Sequence, residues 1–123
     1  MTIDANIIIA YLGGDEEVVS ALSVWQEEGR ILFLSTVAET EVLSFSQWTK
    51  EEEHTTALFL EENFTSISFD RMIARIAARI RQTTKVKFPD AAIAATALFT
   101  HTPVVTRNQR DFKRVNGLQV VLL

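Results

Sequence analysis

The sequence predicts an α/β fold in which a parallel sheet of short strands carries helices on both faces. Three observations predict it. Short β-prone runs alternate with helical segments in the order β-α-α-β-α-α-β-α-α-β-α-β. The run Ile31-Leu32-Phe33-Leu34 is continuously apolar, as a strand buried on both faces must be. The stretch from Pro89 to Phe99 is apolar on nearly all sides, which places its helix in the middle of a protein.

Each element has a local reason. Thr2-Ile3-Asp4 starts a strand, and a helix follows from about Ala5 until Gly13 stops it. Asp15 caps a second helix, expected to run to about Gly29, with Val18, Val19, Leu22 and Trp25 at the helical period. After the Ile31–Leu34 strand, Ser35 or Thr36 caps a third helix. Glu39 stands in a capping-box position relative to Thr36, and the helix carries Val37, Glu41, Val42, Leu43 and Phe45. Beyond Thr49, Glu51, Glu52 and Glu53 crowd the first turn of a fourth helix, where the dipole favours them.

Thr65 to Phe69 reads as a strand. Asp70 caps a helix with an apolar stripe of Met72, Ile73, Ile76, Ala77 and Ile80. Arg71, Arg75 and Arg79 line its opposite side at i, i+4 and i+8. Pro89 opens the apolar helix, since a first turn does not need its missing N–H, and Asp90 follows inside that turn. Pro103-Val104-Val105 is a buried strand ending at Thr106, residues 107–113 form a loop or short helix, and Leu118 to Leu122 a last strand.

The composition bounds the class. With 123 residues, 47% apolar, and only four glycines and two prolines, the chain is neither disordered nor fibrous. One domain spanning 1–123 is expected. No apolar run reaches the ~18 residues of a membrane span, and the start Met-Thr-Ile-Asp lacks the basic region of a secretory leader. The absence of cysteine excludes disulfides and thiolate metal sites and fits a cytoplasmic location. Net charge is −4, but it is unevenly spread. Residues 1–70 hold 14 acids against two bases, and residues 71–123 hold 10 bases against two acids, Asp90 and Asp111. Such asymmetry points to a polyanionic partner or one with complementary patches.

Sites of open α/β sheets lie beyond the C-terminal ends of the strands. Asp4 ends the first strand, Glu41 lies two helical turns after the second, and Asp90 opens the helix before the Pro103 strand. Thr106, Asn108 and Asp111 follow that strand. Glu41 sits between Val37 and Phe45 at i−4 and i+4, so it is expected to face inward. Glu39 is its competitor. Two residues apart on a helix point about 200° apart, so only one faces the site, and Glu39 already has a capping role. Carboxylates gathered at ~4–5 Å repel by about 3–4 kcal/mol per pair at an effective dielectric of about 20. Such a cluster must be hydrated, protonated or filled by cations. Oxygen-only ligands select a hard ion, Mg²⁺ or Mn²⁺, over Zn²⁺. His54 reads as a surface residue, and His101 as a partner of the helix C-terminus.

Four motifs together carry a family resemblance: Asp4-Ala-Asn6 with its apolar run; Leu34 to Ser44; Pro89-Asp90-Ala-Ala-Ile-Ala-Ala-Thr-Ala97; and Val105-Thr-Arg-Asn108-Gln-Arg-Asp111 to Val115. In order and over the whole chain they resemble a PIN domain, and more narrowly the VapC-type toxins of prokaryotic toxin–antitoxin pairs. The resemblance implies a three-layer α/β/α sandwich around a short-stranded parallel sheet. It implies a Mg²⁺- or Mn²⁺-dependent endoribonuclease acting on RNA, a cognate antitoxin and a homodimer. Asp4, Glu41 and Asp90 match the three central acids. Many PIN domains have an acid where this chain has Asn108, and in the Thr-Arg-Asn variant the acid three residues on is Asp111, taken as the fourth. Asn6 and Thr106 match supporting positions, Asn108 lines the site, and Ala5 departs from the usual Thr. Arg107, Arg110 and Lys113 are candidates to hold the RNA backbone. Two other readings compete: an inactive PIN-like module that binds RNA or protein, and a phosphatase or receiver-like domain using Asp4 as nucleophile. The phosphatase needs a second acid where Asn6 stands.

Overall fold

A computed structural model describes residues 1–123. The strands are β1 (Thr2–Ile3), β2 (Phe33–Ser35), β3 (Thr65–Ile67), β4 (Val104–Thr106) and β5 (Val120–Leu122). The helices are α1 (Ala5–Leu12), α2 (Glu16–Glu27), α3 (Thr36–Leu43), α4 (Lys50–Asn63), α5 (Arg71–Thr83), α6 (Phe88–Thr100) and α7 (Gln109–Phe112). Element order matches the sequence reading throughout. All strand pairs are parallel, and the spatial order is β3-β2-β1-β4-β5.

That order locates the site. From β1 the chain winds outward to β2 and β3; from β4 it winds the other way to β5. β1 and β4 are neighbours, with Thr2 opposite Val104 and Ile3 opposite Val105. The winding direction therefore reverses between them. Right-handed crossovers then put helices on both faces, giving the three-layer α/β/α sandwich. In open α/β sheets the ligand crevice lies at such a reversal, outside the C-terminal ends of the strands that flank it, here β1 and β4. Asp4 follows β1 directly, and Thr106 is the last residue of β4.

The core is a cluster of 25 buried apolar residues. Residues Ala91 to Ala97 of α6 are all buried, as expected of a helix apolar on every side. The alanines bring α5 and the sheet close to its axis. At its C-terminus the helix stops at His101, which takes the left-handed conformation at φ 54° while Thr102 N–H donates to the Ala97 carbonyl. That is the backbone geometry glycine usually supplies.

Several local expectations are corrected. β2 begins at Phe33, and Ile31 is 56% exposed. Ahead of β2 the run is held by single bonds: the Met1 amine donates to the Ile31 carbonyl at 2.8 Å, and the Met1 and Leu32 carbonyls accept from Phe33 and Thr65 N–H. β3 stops at Ile67 and β5 starts at Val120, each limited to the three residues its neighbour can pair. No Thr36–Glu39 capping box forms. Ser35 caps α3 by accepting from Val37 N–H, and the Thr36 hydroxyl accepts instead from Phe69 N–H at 3.0 Å. The capping box is found at α4, between Thr49 and Glu52. On α5, Met72 is 60% exposed, and Ile73, Ala77 and Ile80 form the buried stripe. Phe45 lies beyond the end of α3 and leans on Trp48, ring centroids 5.2 Å apart.

Candidate functional site

Asp4 occupies the N-cap position of α1 without a capping hydrogen bond of its own. It is 4% exposed. Its Oδ2 accepts a hydrogen bond of 2.6 Å from the hydroxyl of Thr106, which is itself fully buried. The β1–β4 pairing forces this contact, because Asp4 N–H also donates to the Val105 carbonyl at 3.0 Å. The Thr106 hydroxyl has further partners: it accepts from Asn108 N–H at 2.9 Å and from Asn6 Nδ2 at 3.4 Å. One donor and two acceptor sites are the full capacity of a hydroxyl.

Asn108 then ties the other acids in. Its Nδ2 donates to Asp111 Oδ2 at 2.9 Å and to Asp90 Oδ2 at 3.4 Å. Asn6 closes the loop from the other side, its Oδ1 accepting from Arg107 N–H at 3.3 Å. Asp4, Asp90, Asp111, Asn6, Thr106 and Asn108 thus form one hydrogen-bonded network across the β1–β4 crevice.

Glu41 is brought to the same place by a different route. It is exposed, not inward-facing as expected, because α3 buries Ala38 and Val42 and Glu41 lies at the margin of that stripe. Its carboxylate is nevertheless partly desolvated and feels the charges of Asp4 and Asp90. No side-chain hydrogen bond engages Glu41. Glu39 is half-buried on α3, has no capping role and makes no hydrogen bond to the network.

The electrostatics are those of a crowded acidic pit. Burial pushes the Asp4 carboxyl up, while the Thr106 hydroxyl and the amides of Ala5 and Asn6 pull it back down. Burial, then the charges of Asp4 and Asp111, push Asp90 up to about 6 against the opposing pull of Lys87. Burial, Asp4 and Asp90 raise Glu41. Asp90 and Glu41 are therefore made harder to ionise by burial and by neighbouring acids, and Asp4 by burial, the condition a bound cation relieves. All the donors are oxygens, which suits a hard divalent ion. In this arrangement no three acids converge closely enough to ligate one ion. The amides of Asn108 hold Asp90 and Asp111, so the unengaged Glu41 has the most freedom to close on a ligand.

Of the basic candidates, Arg107 reaches away and pairs with Asp15, the N-cap of α2. Arg110 and Lys113 are exposed and have no ion-pair partner. Sequence reasoning did not anticipate an apolar groove of about 390 Å³ beside Glu41, flanked by Ile9, Leu12, Phe45 and Trp48. The signal was present in Ile7-Ile8-Ile9: three successive apolar residues cannot all face inward from one helix, and Ile9 is the one left outside.

The model of the PIN domain family matches residues 1–118. No curated protein sequence matches the chain. Among solved structures, the chain is 32% identical to a chain of a toxin–antitoxin complex from Klebsiella pneumoniae, covering 98% of this chain and 94% of that one, with a TM-score of 0.82. FitAcB from Neisseria gonorrhoeae is similar at 25% identity, covering 97% and 94%, with a TM-score of 0.79. VapBC2 from Rickettsia felis, bound to a promoter DNA fragment, shares the fold at 18% identity, covering 99% and 97%, with a TM-score of 0.85. With a match over nearly its whole length and a reversed sheet order that brings Asp4 beside Thr106, this chain belongs to the PIN-domain family.

Proposed function

We propose that this protein is a Mg²⁺- or Mn²⁺-dependent endoribonuclease and the toxin of a toxin–antitoxin pair, acting as one PIN-like domain in the cytoplasm. The observation that carries the reading is the gathering of Asp4, Asp90 and Glu41 at the sheet's reversal point, where buried Asp4 raises the carboxyls of Asp90 and Glu41 and Asp90 raises that of Glu41. Asp4, Glu41, Asp90 and Asp111 are the residues that would hold the ion. Once bound, such an ion polarises a phosphoryl oxygen and lowers the pKa of a coordinated water. The rest is the work of the chain's own groups. Thr106 holds Asp4 in one orientation and favours its ionised form. Asn108 fixes the spacing of Asp90 and Asp111. Arg110 and Lys113 attract the phosphate backbone.

Two partners belong to the proposal. An antitoxin would seat an apolar segment in the groove between Ile9 and Phe45 and bring a cation toward Glu41, competing with the metal by relieving the same repulsion. The exposed apolar residues also support a homodimer, which light scattering at micromolar concentration tests. The ribonuclease reading is tested by incubating purified protein with RNA. Cleavage abolished by EDTA and restored by Mn²⁺ is expected. Intact RNA in the presence of Mn²⁺, from a protein that still binds its antitoxin, would leave only the inactive-module reading.

A further inference from the structure

The basic residues of α5 are not absorbed by the acidic site. Arg71, Arg75 and Arg79 recur at i, i+4 and i+8, so they form a ladder roughly 12 Å long on one side of the helix. All three are exposed. No carboxylate occurs between Arg71 and Pro89, and the two ion pairs in the structure involve only Arg30 and Arg107. The ladder is therefore without an ion-pair partner within the chain, whereas α2 and α4 carry exposed glutamates in their first turns.

Position gives the ladder a direction. Phe69, two residues before Arg71, packs edge-on against Phe88, two residues before Asp90, with centroids 5.5 Å apart. The start of α5 is thus fastened beside the start of α6, where Asp90 enters the site. The ladder begins at the end of α5 that lies beside the start of α6 and leads away from it. Farther along, Arg75 and Arg79 line a groove of about 520 Å³ together with Ile76, Ile80, Leu98 and Asn116. Such a lining offers cations for phosphates and apolar surface for a base or sugar face.

We propose that Arg71, Arg75 and Arg79 form a track for the single-stranded RNA backbone flanking the cut, so that α5 binds substrate several nucleotides from the acids. This rests on the ribonuclease reading. The contact is electrostatic and independent of base sequence, and it acts on affinity without touching the scissile phosphate. A substrate too short to leave the crevice gains nothing from it.

The test measures fluorescence anisotropy of a labelled 20-nucleotide single-stranded RNA in EDTA, where binding is read without cleavage. It compares the wild type with the triple variant Arg71→Gln/Arg75→Gln/Arg79→Gln, after equal melting temperatures establish that the variant is folded. The expected result is at least ~10-fold weaker binding at moderate salt, with a log–log salt slope shallower by about 2, near the ~0.7 per phosphate contact typical of single strands. In Mn²⁺, KM for the 20-mer rises while kcat, and cleavage of a tetranucleotide, stay unchanged. Arg81→Gln, about 120° around the helix from the ladder, has a smaller effect. Equal affinity of triple variant and wild type, with cleavage intact in both, would mean the ladder is only a solvated face and overturns the track alone. A triple variant that keeps RNA affinity but loses antitoxin would assign the ladder to a protein partner and also overturn it. A wild type that neither binds nor cuts RNA overturns the track together with the ribonuclease reading.

Discussion

The Thr106 hydroxyl donates to the buried carboxylate of Asp4 across 2.6 Å, joining residues 102 positions apart in the chain. It is the one side-chain hydrogen bond that Asp4 receives, and it opposes the burial that raises the carboxyl. Replacing Thr106 by Val keeps the shape and removes the donor. The carboxylate is then buried without a side-chain partner, and Asn108 N–H and Asn6 Nδ2 lose their acceptor. A loss of about 1–3 kcal/mol is expected at pH 7. The loss should be smaller in a measurement at pH 4 than at pH 7, because lowering the pH favours the neutral form of this raised carboxyl. Denaturant melts at both pH values check this; an equal loss at both would place the effect in packing.

Asp90→Asn removes one charge from the repelling group while keeping the acceptor for Asn108. Cleavage should be abolished. The melting temperature of the metal-free protein at pH 7 should stay the same or rise. A large fall in melting temperature would make Asp90 a structural residue.

Glu41→Gln and Glu39→Gln separate the two glutamates of α3. Glu41 senses the charges of Asp4 and Asp90. Its replacement should eliminate cleavage and weaken Mn²⁺ binding, read by isothermal titration, by at least ~10-fold. Glu39→Gln should leave both within about twofold, because Glu39 makes no hydrogen bond to the acids of the site. The opposite ranking would exchange their roles.

Stability of the metal-free protein should fall as pH rises from about 4 to about 6. The raised carboxyl of Asp90, at about 6 against a usual 3.8, holds its proton more tightly when folded. Its stabilising contribution is fully present below the unfolded value and is lost as pH rises through the folded one. Asp4 and Glu41 act in the same direction. Asp15 and Glu52 are lowered and act oppositely, but only below their usual values of 3.8 and 4.5. A melting temperature in EDTA that is higher at pH 5 than at pH 7, by on the order of 3–6 °C, is expected, with Mn²⁺ diminishing the difference. A melting temperature that climbs from pH 5 to pH 7 in EDTA would mean the acids do not repel.

What the sequence determined by itself was everything that depends on short range. Apolar period and cap residues placed all twelve elements, because a helix or strand reports its buried face through neighbours three, four or two positions away. The apolar Pro89–Phe99 run identified the central helix for the same reason. The acids Asp4, Glu41, Asp90 and Asp111 were legible as candidates from where they fall relative to those elements, and a resemblance in four motifs named the family. Element ends were less legible. Ile31, Phe69 and Leu118 look like strand residues, but a strand lasts only as long as a neighbour pairs with it, and that length belongs to the sheet. Thr36 reads as a cap, yet its hydroxyl serves Phe69 from across the fold. Only the tertiary structure decided that Arg107 turns to Asp15, that Glu41 stands at the margin of the buried stripe of α3, and that one hydroxyl and one amide, Thr106 and Asn108, connect three acids from separate segments. Those relations depend on the reversal of strand order between β1 and β4. That order is fixed by how the layers pack in space, which no local pattern along the chain records.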